Sequence, residues 1–428
     1  MRSDLPPRTV YIVADSRDPA RNTYDGVVDL AANNSWGPFA YALVKQTYRV
    51  TPQGECERVE PEPLFHDMRD PDVEPRLKAG SDFWPIKYAT DVVVEGAAFP
   101  PQGEIVDRMT VTVSVGQAEK RVAVFGRRLL RWNDRGTPSI TRPELINEPV
   151  PLTWENAYGG VDFRVTDPSV EGLSEEAAAF ALEHDHPGLY PRNPFGKGYL
   201  VLQEPTAGDV ELPQLEDPND LLAPDRMITG NPREWYKQPL PWSFAWMHPM
   251  MFPRFVHFAG GPEAWYPGPE DERMPEVRRG FLQSGYRSEM EKRSLDEGPD
   301  PRFRQGASHG MILHDVPDRA PVRIEGMHPE GKTLRFRLPP SPDVELQVEN
   351  RRERVQPRLH SLVCRPAEEM FYVLYGAALK MPRPLVPGIH KHIPVAAYVN
   401  GKAPIVYDAP VPVREQLAAA TKQEEQNK

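Results

Sequence analysis

The stretch MTVTVSVGQAEKRVAVF, residues 109–125, contains the clearest indication of the fold. Its first half alternates Val111, Val113 and Val115 with threonine and serine, which is typical of a strand with one buried face. Gly116 and the polar residues after it then turn the chain into a second apolar run. The sequence therefore predicts an antiparallel hairpin that covers a hydrophobic core with one face.

Similar strand patterns lie before this hairpin and near the end of the chain. They occur at residues 92–94, 322–327, 334–338, 344–348 and 370–375. Strand runs separated by turn residues, with few helical periods, indicate a mainly β protein. We expect an α+β arrangement with few short helices, in which antiparallel, sandwich-like sheets are joined by long proline-rich loops.

Composition divides the chain into three parts. Residues 8–265 form a β-rich region, residues 266–412 a second β-rich region with one charged helix, and residues 413–428 a polar tail. Charge density places that helix near residues 285–295, and an alanine-rich run with an acidic start predicts another near 174–184. The patterns leave open whether the two β-rich regions form one sandwich or two lobes.

The charge balance excludes some partners. Lys and Arg total 51 against 62 Asp and Glu, a net charge of −11, which argues against a protein that binds nucleic-acid phosphates. No apolar run reaches the roughly 18 residues of a membrane span, and acidic and proline residues occupy the place of a signal-peptide core. We predict a cytoplasmic protein without membrane insertion. The 50 prolines and 30 glycines indicate many loops.

Metal and cofactor sites find little support in the sequence. Cys56 and Cys364 lie too far apart to be read as a metal pair or a disulfide, so we expect two reduced thiols. Two histidine pairs, 184/186 and 390/392, could share a strand face, but neither has a third ligand nearby. The turn at residues 193–198 lacks the serine or threonine of a phosphate loop and is expected to lead into a strand at 200–202. We therefore expect no metal and no cofactor.

One carboxylate pair was considered for catalysis. Glu155 and Asp162 flank the Gly159–Gly160 turn and could act as acid and base, although carboxylates beside a glycine turn more often cap backbone amides. No nucleophile, metalloprotease, kinase or dinucleotide-binding motif is present. We predict that the protein is not an enzyme.

A segment rich in large aromatic residues lies between residues 233 and 266. Such side chains either fill a core beneath long loops or anchor a protein interface, where Trp and Tyr are enriched. The candidates for partner binding are Trp235, Trp242, Trp246, Phe252, Phe255 and Trp265.

Four stretches, in this order and spacing, together resemble the bacterial family called domain of unknown function 2169. They are SDFWPIKYATDVVVEG at 81–96, PLTWENAYGG at 151–160, NPFGKG at 193–198 and LPQLEDP at 212–218. A weaker fifth likeness is FRQGA at 303–307 followed by the strand end FRLP at 336–339, and the resemblance covers roughly residues 30 to 375. The residues that we single out from these motifs are Asp82, Lys87, Asp91, Glu155, Gly159, Gly160, Asn193, Gly196 and Gly198.

Structural roles explain these motif residues without any catalysis. We expect Asp82, Lys87 and Asp91 to form a buried or half-buried polar network. We expect the four glycines to supply turns with positive φ.

The resemblance implies a role in type VI secretion. Proteins of this kind are similar to adaptors or chaperones that help load a toxic effector onto the spike and its tip. The partners implied are an effector toxin and a spike tip protein of the proline-alanine-alanine-arginine repeat or VgrG type. The residues suggest a β-rich platform with exposed strand edges and an aromatic patch, which would bind cargo by strand addition and apolar burial.

Two other classes were weighed. A carbohydrate-active hydrolase or glycan-binding protein would use Glu155, with Asp162 or Asp217, and stack sugars on the tryptophan-rich segment. A purely structural spike component would assemble with itself, but the sequence shows neither heptads nor repeats of fixed period.

Overall fold

The predicted hairpin is present in the computed structural model as two antiparallel strands, Arg108–Val115 and Ala118–Phe125. Val111, Val113 and Val115 face the core. The prediction of a mainly β protein with mostly antiparallel sheets is confirmed. The structure describes residues 10–13, 25–33, 37–64, 82, 84, 86–165, 188–205, 208–248, 251–252, 254, 304–348, 350–381, 395–401 and 405–407.

Short and long strands alternate along the described chain. The first twelve are β1 Val10–Val13, β2 Asp25–Asn33, β3 Gly37–Val50, β4 Cys56–Arg58, β5 Thr90–Val94, β6 Ala97–Ala98, β7 Arg108–Val115, β8 Ala118–Phe125, β9 Leu129–Trp132, β10 Pro138–Ile140, β11 Val150–Pro151 and β12 Tyr158–Gly159. The remainder are β13 Lys197–Gly198, β14 Val210–Glu211, β15 Leu215–Glu216, β16 Ile312–Leu313, β17 Pro321–Glu325, β18 Leu334–Arg337, β19 Val344–Val348, β20 Arg351–Val355, β21 Arg358–Arg365, β22 Met370–Lys380, β23 Val395–Val399 and β24 Ile405–Tyr407.

Helices are few in this part of the chain. The α-helix α1 spans Pro224–Met227, and proline at its first position suits a helix start. Short 3₁₀ helices span Trp154–Asn156, Pro232–Lys237 and Pro366–Glu368. The helices predicted near 174–184 and 285–295 lie outside the described residues, as does the polar tail at 413–428.

The largest sheet has nine strands, in the order β16-β5-β21-β22-β3-β2-β1-β24, with β4 also paired to β3. Neighbours are antiparallel except β5 and β21, which are parallel. A five-stranded sheet has the order β15-β8-β7-β17-β18. Buried side chains of the two sheets belong to one continuous hydrophobic core.

Smaller sheets complete the fold. Strands β10-β9-β14 and β20-β19-β23 form three-stranded sheets, while β11 pairs with β6 and β12 pairs in parallel with β13. The four late strands predicted from the sequence, β17, β18 and β19 together with the continuous apolar strand β22, are all present.

Both large sheets mix strands from the two predicted β-rich regions. Strand β3 pairs with β22, β5 pairs with β21, and β7 pairs with β17. The boundary predicted at residues 265/266 therefore does not separate two sheets. Strands far apart in sequence can pair whenever each has a buried face, and alternation within one strand does not identify its neighbour.

The sequence did not predict β3, the 14-residue strand in the middle of the largest sheet. Ala40, Ala42 and Val44 belong to the main core, whereas Phe39 and Tyr41 belong to a second cluster on the opposite face. Because both faces are buried, the strand lacks the apolar-polar alternation by which half-buried strands are recognised.

Candidate functional site

The first family motif supplies two buried ion pairs. The Lys87 Nζ atom lies 2.7 Å from Asp91 Oδ2, and the side chains are 1 % and 0 % exposed. Asp82 instead pairs with Lys45 of β3, with 2.9 Å between Lys45 Nζ and Asp82 Oδ2. All three predicted residues are buried, but Asp82 pairs with a lysine that sequence reasoning missed.

The Asp91 carboxylate joins β5 to a segment more than 200 residues later in the chain. It accepts hydrogen bonds from the Gln305 side chain at 3.0 Å and from the backbone N–H groups of Gly306 and Ala307 at 3.0 and 3.1 Å. Lys87 also donates to Ser361 Oγ on β21 at 3.1 Å. We call Lys87, Asp91, Gln305 and Ser361 the Asp91 lock. It satisfies a buried carboxylate completely, as burial of a charge requires.

The second and third motifs form a glycine knot, defined here as residues 157–160 with 193–198. Its short parallel strands β12 and β13 bring Gly159 opposite Gly198. Asn193, which is fully buried, donates its side-chain amide to the carbonyls of Trp154 and Tyr158 at 2.8 and 3.1 Å. The knot therefore holds two distant loops against each other by backbone contact.

Positive φ was predicted for four glycines of the knot and holds for three. Gly159, Gly160 and Gly198 have φ of 153°, 98° and 93°. The prediction was wrong for Gly196, which is not among the residues with positive φ. Gly196 meets a different demand, since a Cβ there would lie 2.4 Å from both the Ala157 oxygen and Asn193 Nδ2.

Asp162 is the structural carboxylate beside the knot. Its oxygens accept from Arg164 at 2.8 Å and from the backbone N–H groups of Val201 and Leu202 at 2.9 and 3.1 Å. Burial alone would raise the pKa of Asp162, but these hydrogen bonds outweigh it and lower the pKa below its ordinary value. The strand predicted at 200–202 is therefore reduced to a single bridge at Leu200, because the next two N–H groups bind a carboxylate instead of a strand.

The other two carboxylates considered for catalysis differ in exposure. Glu155 is half-buried in a 3₁₀ helix, and Asp217 is buried and accepts the backbone N–H of Asn219 at 3.0 Å. Glu216, its neighbour in the fourth motif, pairs with buried Arg128. The second and fourth motifs also meet directly through the bridge between Ala157 and Leu215.

The buried aromatic residues in the described part of this segment lie in the core rather than on an open surface. Trp235, Trp242 and Phe252 are only 2 %, 7 % and 1 % exposed. Trp246 is half-buried, with its ring centre 5.2 Å from Lys87 Nζ, above the Asp91 lock. Trp235, Trp242 and Phe252 therefore cannot be exposed anchors of the predicted docking patch. Phe255 and Trp265 lie outside the described residues.

A buried lysine that the sequence analysis missed holds this aromatic segment in place. Lys120 Nζ donates to the Ser243 carbonyl at 2.6 Å, Ser308 Oγ at 2.8 Å and the His309 carbonyl at 2.8 Å. It also lies 4.1 Å from the centre of the Trp242 ring. The sequence did contain a signal for the burial of Lys120. The residue shares its strand face with the buried Val122, so the alternation along β8 directs it inward.

In the part of the chain that the structure describes, no group of three His, Cys, Asp or Glu is placed to hold a metal ion. Both histidine pairs fall outside this part, while Cys56 and Cys364 are free thiols. Of the helices described, none combines the length and apolar character needed to cross a bilayer.

The contacts of these four motifs define the class: a mainly β protein whose motif residues join its sheets and loops. The chain belongs to the bacterial family described as "Uncharacterized protein conserved in bacteria", domain of unknown function 2169, whose model matches residues 37–375. No curated protein and no solved structure matches the chain.

Proposed function

We propose that this protein is a non-enzymatic adaptor, a chaperone-like protein that binds a type VI secretion effector and helps load it onto the spike and tip. The resemblance in the four motifs suggests the pathway. The observation that carries the non-enzymatic part is that the buried carboxylates in and beside the motifs bind the protein's own donors.

Asp91 and Glu216 of the motifs, and Asp162 two residues after the second motif, illustrate this use of charge. Each is buried and accepts hydrogen bonds from side chains and from backbone N–H groups. A carboxylate whose acceptor positions are occupied in this way has little capacity left to bind substrate. These buried acids therefore serve the scaffold, and binding is left to the protein surface.

Strand β20 offers a place for the strand addition that we expected. It is the outer strand of the sheet β20-β19-β23, and no second neighbour pairs with it among the described residues. Its arginines form ion pairs with Glu353, Glu345 and Asp343. Charged side chains protect an edge strand from unselective pairing, while a matching partner can still add a strand. This edge replaces the aromatic patch as the docking element.

The alternative of a carbohydrate-active hydrolase fits this geometry less well. A general acid needs a raised pKa, and the pKa of Asp162 is lowered. Trp235 and Trp242 are buried and present no face on which a sugar could stack.

Co-expression tests the proposal directly. The full chain is co-expressed with the effector and spike proteins encoded by adjacent genes and purified by size-exclusion chromatography. We expect a complex of fixed stoichiometry, and we expect deletion of the gene to abolish secretion of that effector until the intact chain is supplied. A chain that elutes alone, together with unchanged effector secretion in the deletion strain, would contradict the proposal.

A further inference from the structure

The exposed face of the β17–β18 hairpin carries a cluster of arginines. Arg335 and Arg337 are two residues apart on β18, so they share one face of the sheet, and both are exposed. Arg323 of β17 lies directly opposite Arg335 in the strand register. Arg319, at the entrance to β17, is also exposed. These four residues line one side of a groove, which we call the arginine groove.

Three of these arginines have no acidic partner among the described residues. Arg323 pairs with Glu325. Among the described residues, no carboxylate oxygen lies within 4.0 Å of a guanidinium nitrogen of Arg319, Arg335 or Arg337. Like charges directly opposite each other in a sheet are destabilising. This arrangement stands out in a chain with a net charge of −11, where acids are in excess.

The backbone at Arg319 adds a second, independent observation. Its φ is 60°, in the left-handed region that non-glycine residues rarely adopt. Its carbonyl accepts a hydrogen bond from the Arg337 guanidinium at 3.2 Å. An unfavourable backbone conformation that places one arginine beside another suggests selection for binding rather than for stability.

The groove has a volume of about 790 Å³. Phe336 lies between the two arginines of β18 but faces the core, where it stacks on Phe371 with ring centres 4.5 Å apart, so the groove does not gain an aromatic floor from it. The opposite wall is residues 53–56, where Glu55 is the single acid among the lining residues that the structure describes. A groove lined by exposed arginines and by one acid suits a chain that carries carboxylates.

The wall formed by residues 53–56 also determines which groups of β18 an occupant can contact. A Cβ on Gly54 would lie 2.5 Å from the Arg335 oxygen, and Cys56 Sγ donates to the Arg337 oxygen at 3.3 Å. The backbone edge of β18 is therefore covered along this stretch. Strand addition is blocked here, and recognition depends on the arginine side chains.

We propose that the arginine groove binds an extended acidic segment of the carried effector, with carboxylates at alternate positions. Alternate residues of an extended chain lie about 6.8 Å apart, which matches the spacing of Arg335 and Arg337. Guanidinium groups bind carboxylates in bidentate pairs, and three unpaired arginines supply the charge complement. The inference rests on the proposed adaptor function only in assigning the segment to an effector.

A fluorescent 12-residue peptide of alternating Glu and Val is the probe, and its binding to the full chain is measured by fluorescence anisotropy. We expect saturable binding that weakens as salt rises from about 0.05 M to about 0.5 M, because exposed charges are screened. The variant R319S/R335S/R337S is expected to raise the Kd at least about tenfold. Circular dichroism and urea unfolding check that its fold is intact.

The matched control is R121S/R131S/R142S. It removes the same charge from exposed positions that do not line the groove, and its arginines are paired with acids. We expect it to bind the peptide as the unchanged chain does. Equal loss in both variants, equal binding by a Lys-Val peptide, or absence of binding to the unchanged chain would each overturn the inference.

Effector capture separates this inference from the proposed function. If the peptide binds through the groove but no adjacent-gene effector co-purifies, the groove chemistry stands and the adaptor function fails. If the effector co-purifies equally with the unchanged chain and R319S/R335S/R337S, the adaptor function stands and the groove inference is overturned.

Discussion

The Asp91 lock and the arginine groove use charge in opposite ways. In the lock, one buried carboxylate receives hydrogen bonds from a lysine, a glutamine and two backbone N–H groups. In the groove, Arg335 faces Arg323 across two strands, and its guanidinium has no acidic partner in the described chain.

The contrast separates charges that hold the fold together from charges that are exposed to a partner. Charges that are buried and saturated specify which segments meet, and they leave little capacity for a ligand. Exposed charges of one sign, held close together, repel one another and favour a partner of the opposite sign. The buried charges of the four motifs therefore serve the scaffold, and the proposed binding groove lies outside those four stretches.

The largest expected effect comes from breaking the lock. Asp91→Ala leaves the buried Lys87 ammonium without its counterion and several donors without an acceptor. We expect the free energy of unfolding to fall by about 3–5 kcal/mol in urea titrations. The double variant Lys87→Met/Asp91→Ala should recover part of this loss, and a double variant as unstable as the sum of both single variants would contradict the lock.

Gly196→Ala tests the glycine knot. A Cβ at this position meets the Ala157 oxygen and Asn193 Nδ2 at 2.4 Å, so we expect a loss of about 2–3 kcal/mol. Gly208→Ala is the matched control, because a Cβ there meets nothing within 4 Å. Unfolding midpoints that shift equally for the two variants would show that the close approach in the knot has no energetic consequence.

Acid should destabilise the interior through His360. Burial, and then the nearby charges of Lys87, Arg358 and Arg304, lower its pKa to about 3. The unfolded chain binds this proton below its ordinary pKa of 6.5 and the folded chain does not, so stability is lost as the pH falls from 6.5 towards 3. At pH 5 the loss is about 2 kcal/mol.

His360→Gln isolates this contribution. Its free energy of unfolding should fall less between pH 7.5 and pH 5 than that of the unchanged chain, by about 2 kcal/mol. Carboxylates such as Asp162 titrate in both proteins and cancel in the difference. Parallel pH profiles would mean that the histidine is protonated in the folded state.

Trp242→Phe separates a core role from a docking role. The indole N–H donates to the Arg121 carbonyl at 2.6 Å, and its loss should lower the free energy of unfolding by about 1 kcal/mol. Binding of the Glu-Val peptide to the folded variant should be unchanged. Unaltered stability together with weaker cargo binding would restore the docking interpretation of the aromatic segment.

The smallest expected effect is a gain. Arg335→Thr removes one of two arginines that face each other on β17 and β18, and threonine suits a strand. We expect stability to rise by about 0.2–1 kcal/mol in urea titrations. A decrease in the free energy of unfolding would instead mean that Arg335 stabilises the fold. That result would contradict the contrast between the lock and the groove.

Alternation predicted the half-buried strands well, because one buried face leaves a period of two in the sequence. It failed for β3, where Lys45 and Gln46 are buried on a strand covered on both sides. It also failed at Val201 and Leu202, whose N–H groups bind Asp162. Local patterns do not contain these long-range partners.

The candidate site could likewise be predicted only in part from the sequence. Asp82, Lys87 and Asp91 were expected in a buried polar network, but their partners Lys45 and Gln305 come from distant strands and loops. The arginine groove could not be found at all, since Arg319, Arg323 and Arg335 are ordinary surface residues until the hairpin register brings them together. Sequence spacing identifies the residues that share one face of a strand. A groove is formed by several strands, so predicting it also requires knowing which strands are neighbours.

The most direct test measures stability and peptide binding side by side in two variants. Ser361→Ala removes one hydrogen bond of the Asp91 lock, and R319S/R335S/R337S removes the unpaired charges of the groove. The account predicts that Ser361→Ala lowers the free energy of unfolding by about 1 kcal/mol with an unchanged Kd. It predicts that the arginine variant keeps its stability and binds at least about tenfold more weakly. A lock variant that loses binding while folded, or an arginine variant that loses stability and still binds, would contradict it.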